Sequence, residues 1–117
     1  MWTIKTTDMF DNWFTSLNDI HRASVLAALI VLREKGPALS RPYADTVKGS
    51  RYANMKELRI QSQGDPLRAF FAFDPRRYGI LLCAGNKVGN ERRFYKEMLP
   101  IADREFMHWL NNSKEKE

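Results

Sequence analysis

Basic and aromatic side chains are concentrated in one stretch of the chain, from Lys48 to Lys96. This stretch contains eleven Lys or Arg and four Asp or Glu residues, a net charge of +7, whereas the rest of the chain has a net charge of −2. The whole excess of +5 therefore arises from this stretch, which also contains the clearest strand patterns. A sheet that presents basic side chains attracts polyanions through its electrostatic field. The composition therefore indicates RNA or DNA as a partner.

Three strands would position these charged side chains. The residue patterns predict strands over residues 55–61, 67–73 and 78–86, and the segments between them have the composition of turns. Short turns between consecutive strands join them in antiparallel order. We therefore predict an antiparallel meander.

The alternation of side chains decides which of them can act together. Because successive side chains of a strand point to opposite faces, Glu57 and Arg59 share one face of the first meander strand, and Arg68 and Phe70 share one face of the second. We expect these four side chains to line an open face of the sheet. The side chains on the opposite face are more apolar: Leu58, Ile60, Phe71 and Phe73. We expect two helices to cover that face.

The remaining elements follow from caps and helical spacing. A short strand over residues 2–6 precedes a helix that begins after Thr7 or Asp8, and a second helix begins at Asn18-Asp19 and stops at Gly36-Pro37. Residues 37–54 are predicted to be irregular. A last helix begins at Glu91 after an N-cap at Asn90, and Pro100 should kink or divide it.

These elements predict an α+β fold in which two N-terminal helices pack on a small, mostly antiparallel sheet, with a C-terminal helix. The length suits one domain, which we place at residues 1–110, followed by a flexible tail at residues 111–117. The N-terminus lacks the pattern of a secretory signal, and no apolar run approaches the roughly 20 residues that cross a bilayer. We therefore expect a soluble, cytoplasmic protein without a membrane partner.

The sequence gives little support for a metal or cofactor site. His21 and His108 are far apart, and the single cysteine, Cys83, lies in an apolar strand where we expect a buried thiol. Gly85 and Gly89 do not form a phosphate-binding loop of a known type. We therefore expect neither a metal nor a cofactor.

Several motifs together resemble a known family. They are the run from Tyr43 to Arg51, the strand segment Lys56-Glu57-Leu58-Arg59, the segment from Arg68 to Arg77 with its aromatic strand and Phe-Asp-Pro turn, Gly85-Asn86-Lys87, and Phe94-Tyr95. This combination is similar to the HigB toxins of the phage-derived branch of the RelE superfamily. The resemblance covers roughly residues 2–109, nearly the whole chain.

The resemblance implies a RelE-like fold and an activity. It implies an endonuclease that cleaves messenger RNA on the ribosome, without a metal, through attack of the ribose 2′-hydroxyl on the adjacent phosphate. That chemistry requires a base for the hydroxyl, cations for the charge on the phosphate and an acid for the leaving 5′-oxygen. The resemblance also implies a cognate HigA-like helix-turn-helix antitoxin, and operator DNA as a partner only through the antitoxin complex.

The resemblance assigns roles to particular residues. Arg68 matches the arginine that binds the scissile phosphate, and Arg59 either joins it or holds the sheet by a salt bridge. Lys87 matches a basic position in the loop before the last helix. Tyr95 matches a tyrosine that stacks on a base or transfers a proton, although Phe94 could occupy that place.

Lys56-Glu57 departs from the pattern, because RelE has two lysines there. Glu57 could be the general base or could form a structural ion pair with Arg59 or Arg68, and Lys56 remains a candidate catalytic residue. The departure leaves open a relative that has lost activity.

Other basic residues are expected to contact phosphates of messenger or ribosomal RNA: Lys48, Arg51, Arg76, Arg77, Arg92, Arg93 and Lys96. The alternative function is a non-catalytic nucleic-acid-binding or interaction module with a basic sheet face.

Overall fold

The chain forms three α-helices and five β-strands in a computed structural model that describes the backbone of residues 1–115 and the side chains of residues 1–112. The elements in chain order are β1 (Thr3–Thr6), α1 (Asp8–Ser16), α2 (Asp19–Lys35), a 3₁₀ turn (Gly36–Ala38), β2 (Ala44–Thr46), β3 (Lys56–Ser62), β4 (Asp65–Phe73), β5 (Tyr78–Asn86) and α3 (Glu91–Glu115). Among the described residues, none of the helices combines the length and apolarity that a membrane span requires.

The two N-terminal helices begin at side-chain caps. The Thr7 hydroxyl oxygen accepts a hydrogen bond from the Phe10 amide at 3.1 Å, and the Asn18 side-chain oxygen accepts one from the His21 amide at 2.8 Å. Such oxygens bind amides that the first helical turn leaves without a partner. The cap residues predicted from the sequence are therefore confirmed.

The sheet has the order β1-β5-β4-β3-β2, in which only β1 and β5 are parallel. The predicted meander of β3, β4 and β5 and the mostly antiparallel sheet are confirmed. The edge strand β2 lies inside the segment that we predicted to be irregular, so that prediction is wrong for residues 44–46. A strand of three residues is too short to show an alternating pattern, and pairing with β3 forms it.

Both faces of the sheet are covered. Helices α1 and α2 pack over Leu58, Ile60 and Phe71, as predicted. Helix α3 packs on the opposite face, where Phe70 is fully buried. The expectation of an open face is therefore wrong for Glu57, Arg68 and Phe70, which are all buried. The strand pattern placed Phe70 on the correct face, but it contained no information about where α3 would dock.

Helix α3 is continuous through Pro100, so of the two predicted outcomes the division of the helix is wrong, and the kink stays a prediction. A proline inside a helix costs about 3 kcal/mol. Leu99, Ala102 and Phe106 are buried against the sheet on both sides of it, and this burial offsets the cost. The helix also includes residues 111–115 of the predicted flexible tail, and residues 116–117 lie outside the described residues.

The N-terminal strand is fixed by close packing of Trp2 on Gly36. A Cβ atom at Gly36 would lie 2.1 Å from the indole Nε1 of Trp2, and Gly36 has a φ of +56°. The Trp2 amide donates to the carbonyl of Arg33 at 2.9 Å, and its ring meets that of Phe73 edge-on with centroids 5.2 Å apart. Only glycine satisfies both the backbone conformation and the space at position 36.

We expect Gly36→Ala to destabilise the fold more than Gly64→Ala. Both glycines have positive φ, but a Cβ at Gly64 would meet no atom within 4 Å. Gly64→Ala should cost about 1–2 kcal/mol for the left-handed backbone alone, and Gly36→Ala should cost about 1–3 kcal/mol more through overpacking. Urea unfolding of both variants measures the difference. Equal losses would show that the indole has room to move away.

Candidate active site

Glu57 is the centre of a buried polar cluster on the α3 face of the sheet. In the register of β3 and β4, Glu57 lies opposite Phe70 and Arg59 lies opposite Arg68, so the charged side chains of both strands share one face. Glu57 is only 3% exposed. A buried carboxylate requires partners for its charge, and three side chains supply them. We call Glu57, Arg59, Arg68 and Tyr95 the Glu57 cluster.

The two carboxylate oxygens of Glu57 have different partners. Oε2 accepts a hydrogen bond from Nε of Arg59 at 3.0 Å, and Oε1 accepts one from the Tyr95 hydroxyl at 2.5 Å. Nε of Arg68 lies 4.0 Å from Oε1. The carboxylate therefore orients two guanidinium groups and one phenol toward a common region.

Arg68 has an unused hydrogen-bond donor. The residue is 8% exposed, and one terminal nitrogen donates to the carbonyl of Leu67 at 3.0 Å. Its Nε is buried and makes no hydrogen bond with the described residues. Leaving a buried donor unpaired costs about 1–3 kcal/mol, and more when the group is charged. A phosphate oxygen is a strong acceptor for such a donor, and guanidinium binds phosphate in a bidentate manner.

Arg59 is held between two carboxylates. In addition to Glu57, its terminal nitrogen lies 3.5 Å from Oδ2 of Asp45, and this oxygen also accepts from Nε of Arg41 at 2.8 Å. The hydrogen bond to Glu57 is the main cause that raises the pKa of Arg59, and the hydrogen bond from Arg41 is the main cause that lowers the pKa of Asp45. Positive and negative groups therefore alternate from Arg41 to Arg68, with one more cation than anions.

At neutral pH the phenol of Tyr95 is protonated and acts as a hydrogen-bond donor. Burial, followed by the hydrogen bond and charge of Glu57, raises the pKa of Tyr95 to about 12, while the nearby Arg68 acts in the opposite direction. Phe94 instead stacks on Phe70 and packs against Gly85, where a Cβ would lie 3.0 Å from the Phe94 ring. The structure therefore places Tyr95, rather than Phe94, in the Glu57 cluster.

Lys87 lies beside the cluster. Its Nζ is 3.0 Å from an oxygen of Glu91 and 6.0 Å from the centroid of the Tyr95 ring. The hydrogen bond from Lys87 is the main cause that lowers the pKa of Glu91. Lys87 thus adds an ammonium group at the side of the cluster where α3 begins.

Lys56 is not brought to the Glu57 cluster. It pairs with Thr46 and Phe71, and its Nζ lies 3.4 Å from the carbonyl of Pro37 on the α2 side of the sheet. The alternation of side chains along β3 is the reason, because neighbours in a strand point to opposite faces. Glu57 and Lys56 are therefore separated by the sheet.

The seven other basic residues are all exposed, but they lie in three separate segments. Lys48 and Arg51 lie in a loop that hydrogen bonds from Ser50 and the Arg51 amide attach to Asp103 of α3. The turn after β4 carries Arg76 and Arg77. The first turns of α3 carry Arg92, Arg93 and Lys96. Arg93 pairs with Glu97 at 3.2 Å.

Sequence reasoning missed the contribution of Arg41 and Asp45. Asp45 falls in the motif from Tyr43 to Arg51, but its contact with Arg59 depends on the pairing of β2 with β3. Cys83 is buried as predicted, and burial is the main cause that raises its pKa to about 12. Within residues 1–115, no group of three or more His, Cys, Asp or Glu residues is arranged to hold a metal ion.

Sequence comparison identifies relatives over most of the chain. Residues 12–107 match the model of the family "Phage derived protein Gp49-like (DUF891)". Two proteins of Mycobacterium tuberculosis that are named as toxins are similar to the chain. HigB3 is 46% identical over 86% of this chain and 86% of its own length, and HigB2 is 48% identical over 84% of this chain and 49% of its own length.

Solved structures of similar fold are more distant in sequence. A mutant of the E. coli toxin RelE in the free state has a TM-score of 0.58 and 11% identity, over 77% of this chain and 87% of that one. The toxin–antitoxin complex RelBE2 of Mycobacterium tuberculosis includes a chain with a TM-score of 0.56 and 14% identity, over 73% of this chain and 96% of that one. These similarities establish the RelE-like fold. The match over residues 12–107 and the HigB relatives at nearly half identity show that the chain belongs to the Gp49-like family of phage-derived proteins, together with HigB toxins.

Proposed function

We propose that this protein is the toxin of a type II toxin–antitoxin system and that it cleaves messenger RNA on the ribosome without a metal ion. Its relatives HigB3 and HigB2 are named as toxins, which supports the first part. The observation that carries the second part is the Glu57 cluster, in which two guanidinium groups and a phenol converge on one carboxylate. These groups provide the cations and the proton acceptor that transfer of a phosphoryl group from the 5′-oxygen to the 2′-hydroxyl requires.

Arg68 and Arg59 supply the positive charge for the reacting phosphate. As the 2′-oxygen attacks phosphorus, negative charge develops on the non-bridging oxygens, and fixed cations in a water-poor site stabilise it strongly. The guanidinium group of Arg68 is in a water-poor site and its Nε makes no hydrogen bond with the described residues, so we assign Arg68 as the main phosphate ligand. Arg59, whose side chain is 33% exposed, extends the positive surface outward.

Tyr95 and Glu57 transfer the proton of the 2′-hydroxyl. Glu57 is almost completely buried, whereas Tyr95 is partly exposed, so we assign Tyr95 as the group that exchanges a proton with RNA. The 2′-hydroxyl passes its proton to the Tyr95 oxygen while the phenol passes its own proton to Oε1 of Glu57. The 2′-oxygen then bonds to phosphorus, and the bond from phosphorus to the 5′-oxygen breaks. The leaving oxygen takes a proton from Lys87, and the products end in a 2′,3′-cyclic phosphate and a 5′-hydroxyl.

A non-catalytic RNA-binding module remains the second candidate. The burial of Glu57 favours it, because a carboxylate with both oxygens already bonded resembles a structural ion pair. Removal of a single guanidinium group distinguishes the two functions. An enzyme would lose cleavage while it still binds RNA, whereas a binding module forms no cleavage product in either form.

The partner that we propose is a HigA-like helix-turn-helix antitoxin, and operator DNA is contacted only through the complex of the two proteins. Activity in the cytoplasm follows from the ribosomal substrate. The similarity to HigB toxins supports this assignment.

We expect Arg68→Ala to lower the cleavage rate about 10²–10³-fold, since that is the usual cost of removing one stabiliser of a developing anion. Glu57 would keep its bonds to Arg59 and Tyr95, so the fold should persist. Mapping of messenger 5′-ends after brief induction measures cleavage. Arg104→Ala, on the exposed side of α3, is the matched control and should cleave normally. Full cleavage by Arg68→Ala would exclude the proposed role.

A messenger with a 2′-deoxy nucleotide at the cleaved position should remain intact on the ribosome. The proposed nucleophile is absent from that substrate, while its charge and its pairing with the ribosome are unchanged. Primer extension on programmed ribosomes measures the loss, with a deoxy nucleotide ten positions away as the control. Cleavage at the modified position would show that the 2′-hydroxyl is not the nucleophile.

Tyr95 should ionise near pH 12, and Glu57→Gln should move that ionisation toward pH 10. A tyrosine pKa that is raised in the folded state adds stability below pH 10, and this stability is lost as the pH rises toward 12. The ultraviolet titration of tyrosinate, with Tyr95→Phe as the reference, isolates this group. Both variants should also cleave poorly, and normal cleavage by Tyr95→Phe would exclude the proton transfer.

A further inference from the structure

A second cationic surface lies at the other end of β4, around two aromatic rings. The guanidinium carbon of Arg77 is 4.7 Å from the centroid of the Trp2 ring, and that of Arg76 is 5.3 Å from the centroid of the Tyr78 ring. The Nζ of Lys5 is 5.6 Å from the same Tyr78 ring. We call these five residues the Trp2–Tyr78 patch. Each ring holds its cations by cation–π attraction, which reduces the side-chain freedom that a bound anion would otherwise remove.

The backbone of the turn that carries this patch is rigidly held. Asp74 is 6% exposed, and its Oδ1 accepts hydrogen bonds from the amides of Arg76 at 3.0 Å and Tyr78 at 2.9 Å. Its Oδ2 accepts from the indole nitrogen of Trp109, in α3, at 2.9 Å. The carboxylate of Asp74 is thus directed inward to the turn and α3. It fixes the backbone of the turn that carries Arg76 and Arg77.

Arg77 occupies a backbone conformation that favours glycine. Its φ is +69°, and Gln63 is the other non-glycine residue with a positive φ among the described residues. A left-handed conformation costs a residue with a side chain about 1–2 kcal/mol. Such strain concentrates at functional sites. At this turn, glycine would remove the strain and would also remove the guanidinium group.

Two cations of the patch, Lys5 and Arg77, are available to an anion. Lys5 and Arg77 form no salt bridge with a carboxylate of the described residues. A cleft of about 300 Å³ lies between the turn and the N-terminus, and Met1, Trp2, Thr3, Arg76, Arg77 and Tyr78 line it. Guanidinium groups in a fixed orientation suit the oxygens of a phosphodiester.

The patch is separate from the Glu57 cluster. Arg68 is five residues before the end of β4, and a strand rises about 3.3 Å per residue, so the two sites lie roughly 17 Å apart along the sheet. One phosphate cannot occupy both. An RNA strand or a folded RNA that contacts the protein over this distance can bind at both places.

We propose that the Trp2–Tyr78 patch is an RNA-phosphate site that anchors the protein and takes no part in the chemistry. The proposal rests on the proposed function in one respect, that the ligand is RNA. Two sources offer the same phosphodiester chemistry: ribosomal RNA and a single-stranded messenger. Binding here would place the Glu57 cluster on the substrate and would add affinity that falls with salt.

The test uses Arg77→Gly in an Arg68→Ala background, so that binding is measured without cleavage. Filter binding is performed with vacant ribosomes and, separately, with a single-stranded 20-nucleotide RNA at several salt concentrations. Arg77→Gly should weaken binding about fivefold or more and reduce the salt slope by about 1. Its free energy of unfolding should stay equal or rise, because the strain is relieved. Gln63→Gly relieves similar strain at another turn and should bind as the parent does.

The two RNAs identify the source of the phosphate. A loss on vacant ribosomes alone assigns the patch to ribosomal RNA, and a loss on both assigns it to single-stranded RNA. Lys5→Gln, on a different element, should lower binding in the same way. The proposal is overturned if both variants bind as the parent does, or if the parent binds neither RNA. Failure of the proposed function would appear differently, as messenger left intact by the wild type while these binding differences persist.

Discussion

A carboxylate removed from water organises the candidate active site of this protein. Glu57 is almost completely buried, and a buried charge without partners would be strongly destabilising. The partners of its carboxylate come from three elements: Arg59 on the same strand, Arg68 on the next strand and Tyr95 on α3. The pairing of β3 with β4 and the position of α3 must therefore agree within a hydrogen-bond length. The same requirement concentrates cations and a proton donor at one place, so the fold and the proposed chemistry depend on one set of contacts.

Much of the fold could be predicted from local sequence patterns. Thr7 and Asn18 have side chains that bind free amides, and the meander strands alternate clearly enough to place Glu57, Arg59 and Arg68 on one face. Tyr95 could be placed only through the resemblance to HigB toxins, because nothing in a helical segment indicates which strand residue it will reach. The family resemblance also favoured Tyr95 over Phe94 without deciding between them; in the structure Phe94 packs against Gly85, and Tyr95 is the residue that contacts Glu57.

The features that sequence reasoning missed are all contacts between distant segments. Asp45 reaches Arg59 because a three-residue strand pairs at the sheet edge, and Phe70 is buried because α3 docks on its face. Trp2 and Arg77 are 75 positions apart, yet their side chains touch. Periodicity describes the neighbours of a residue along one element. It does not describe which face of another element will cover that residue. The docking of one element on another depends on the total apolar surface that both cores bury.

Helix α3 links the two ends of the molecule through a fixed number of residues. Tyr95 contacts Glu57 at one end, and Trp109 contacts Asp74 below the cationic turn at the other. Each helical residue adds about 1.5 Å of length and 100° of rotation. A single inserted or deleted residue between them would turn one aromatic side chain away from its carboxylate while the other stayed in place. The spacing of fourteen residues is therefore a constraint on evolutionary drift, and point substitutions on the outer side of this helix are tolerated far more readily than any change in its length.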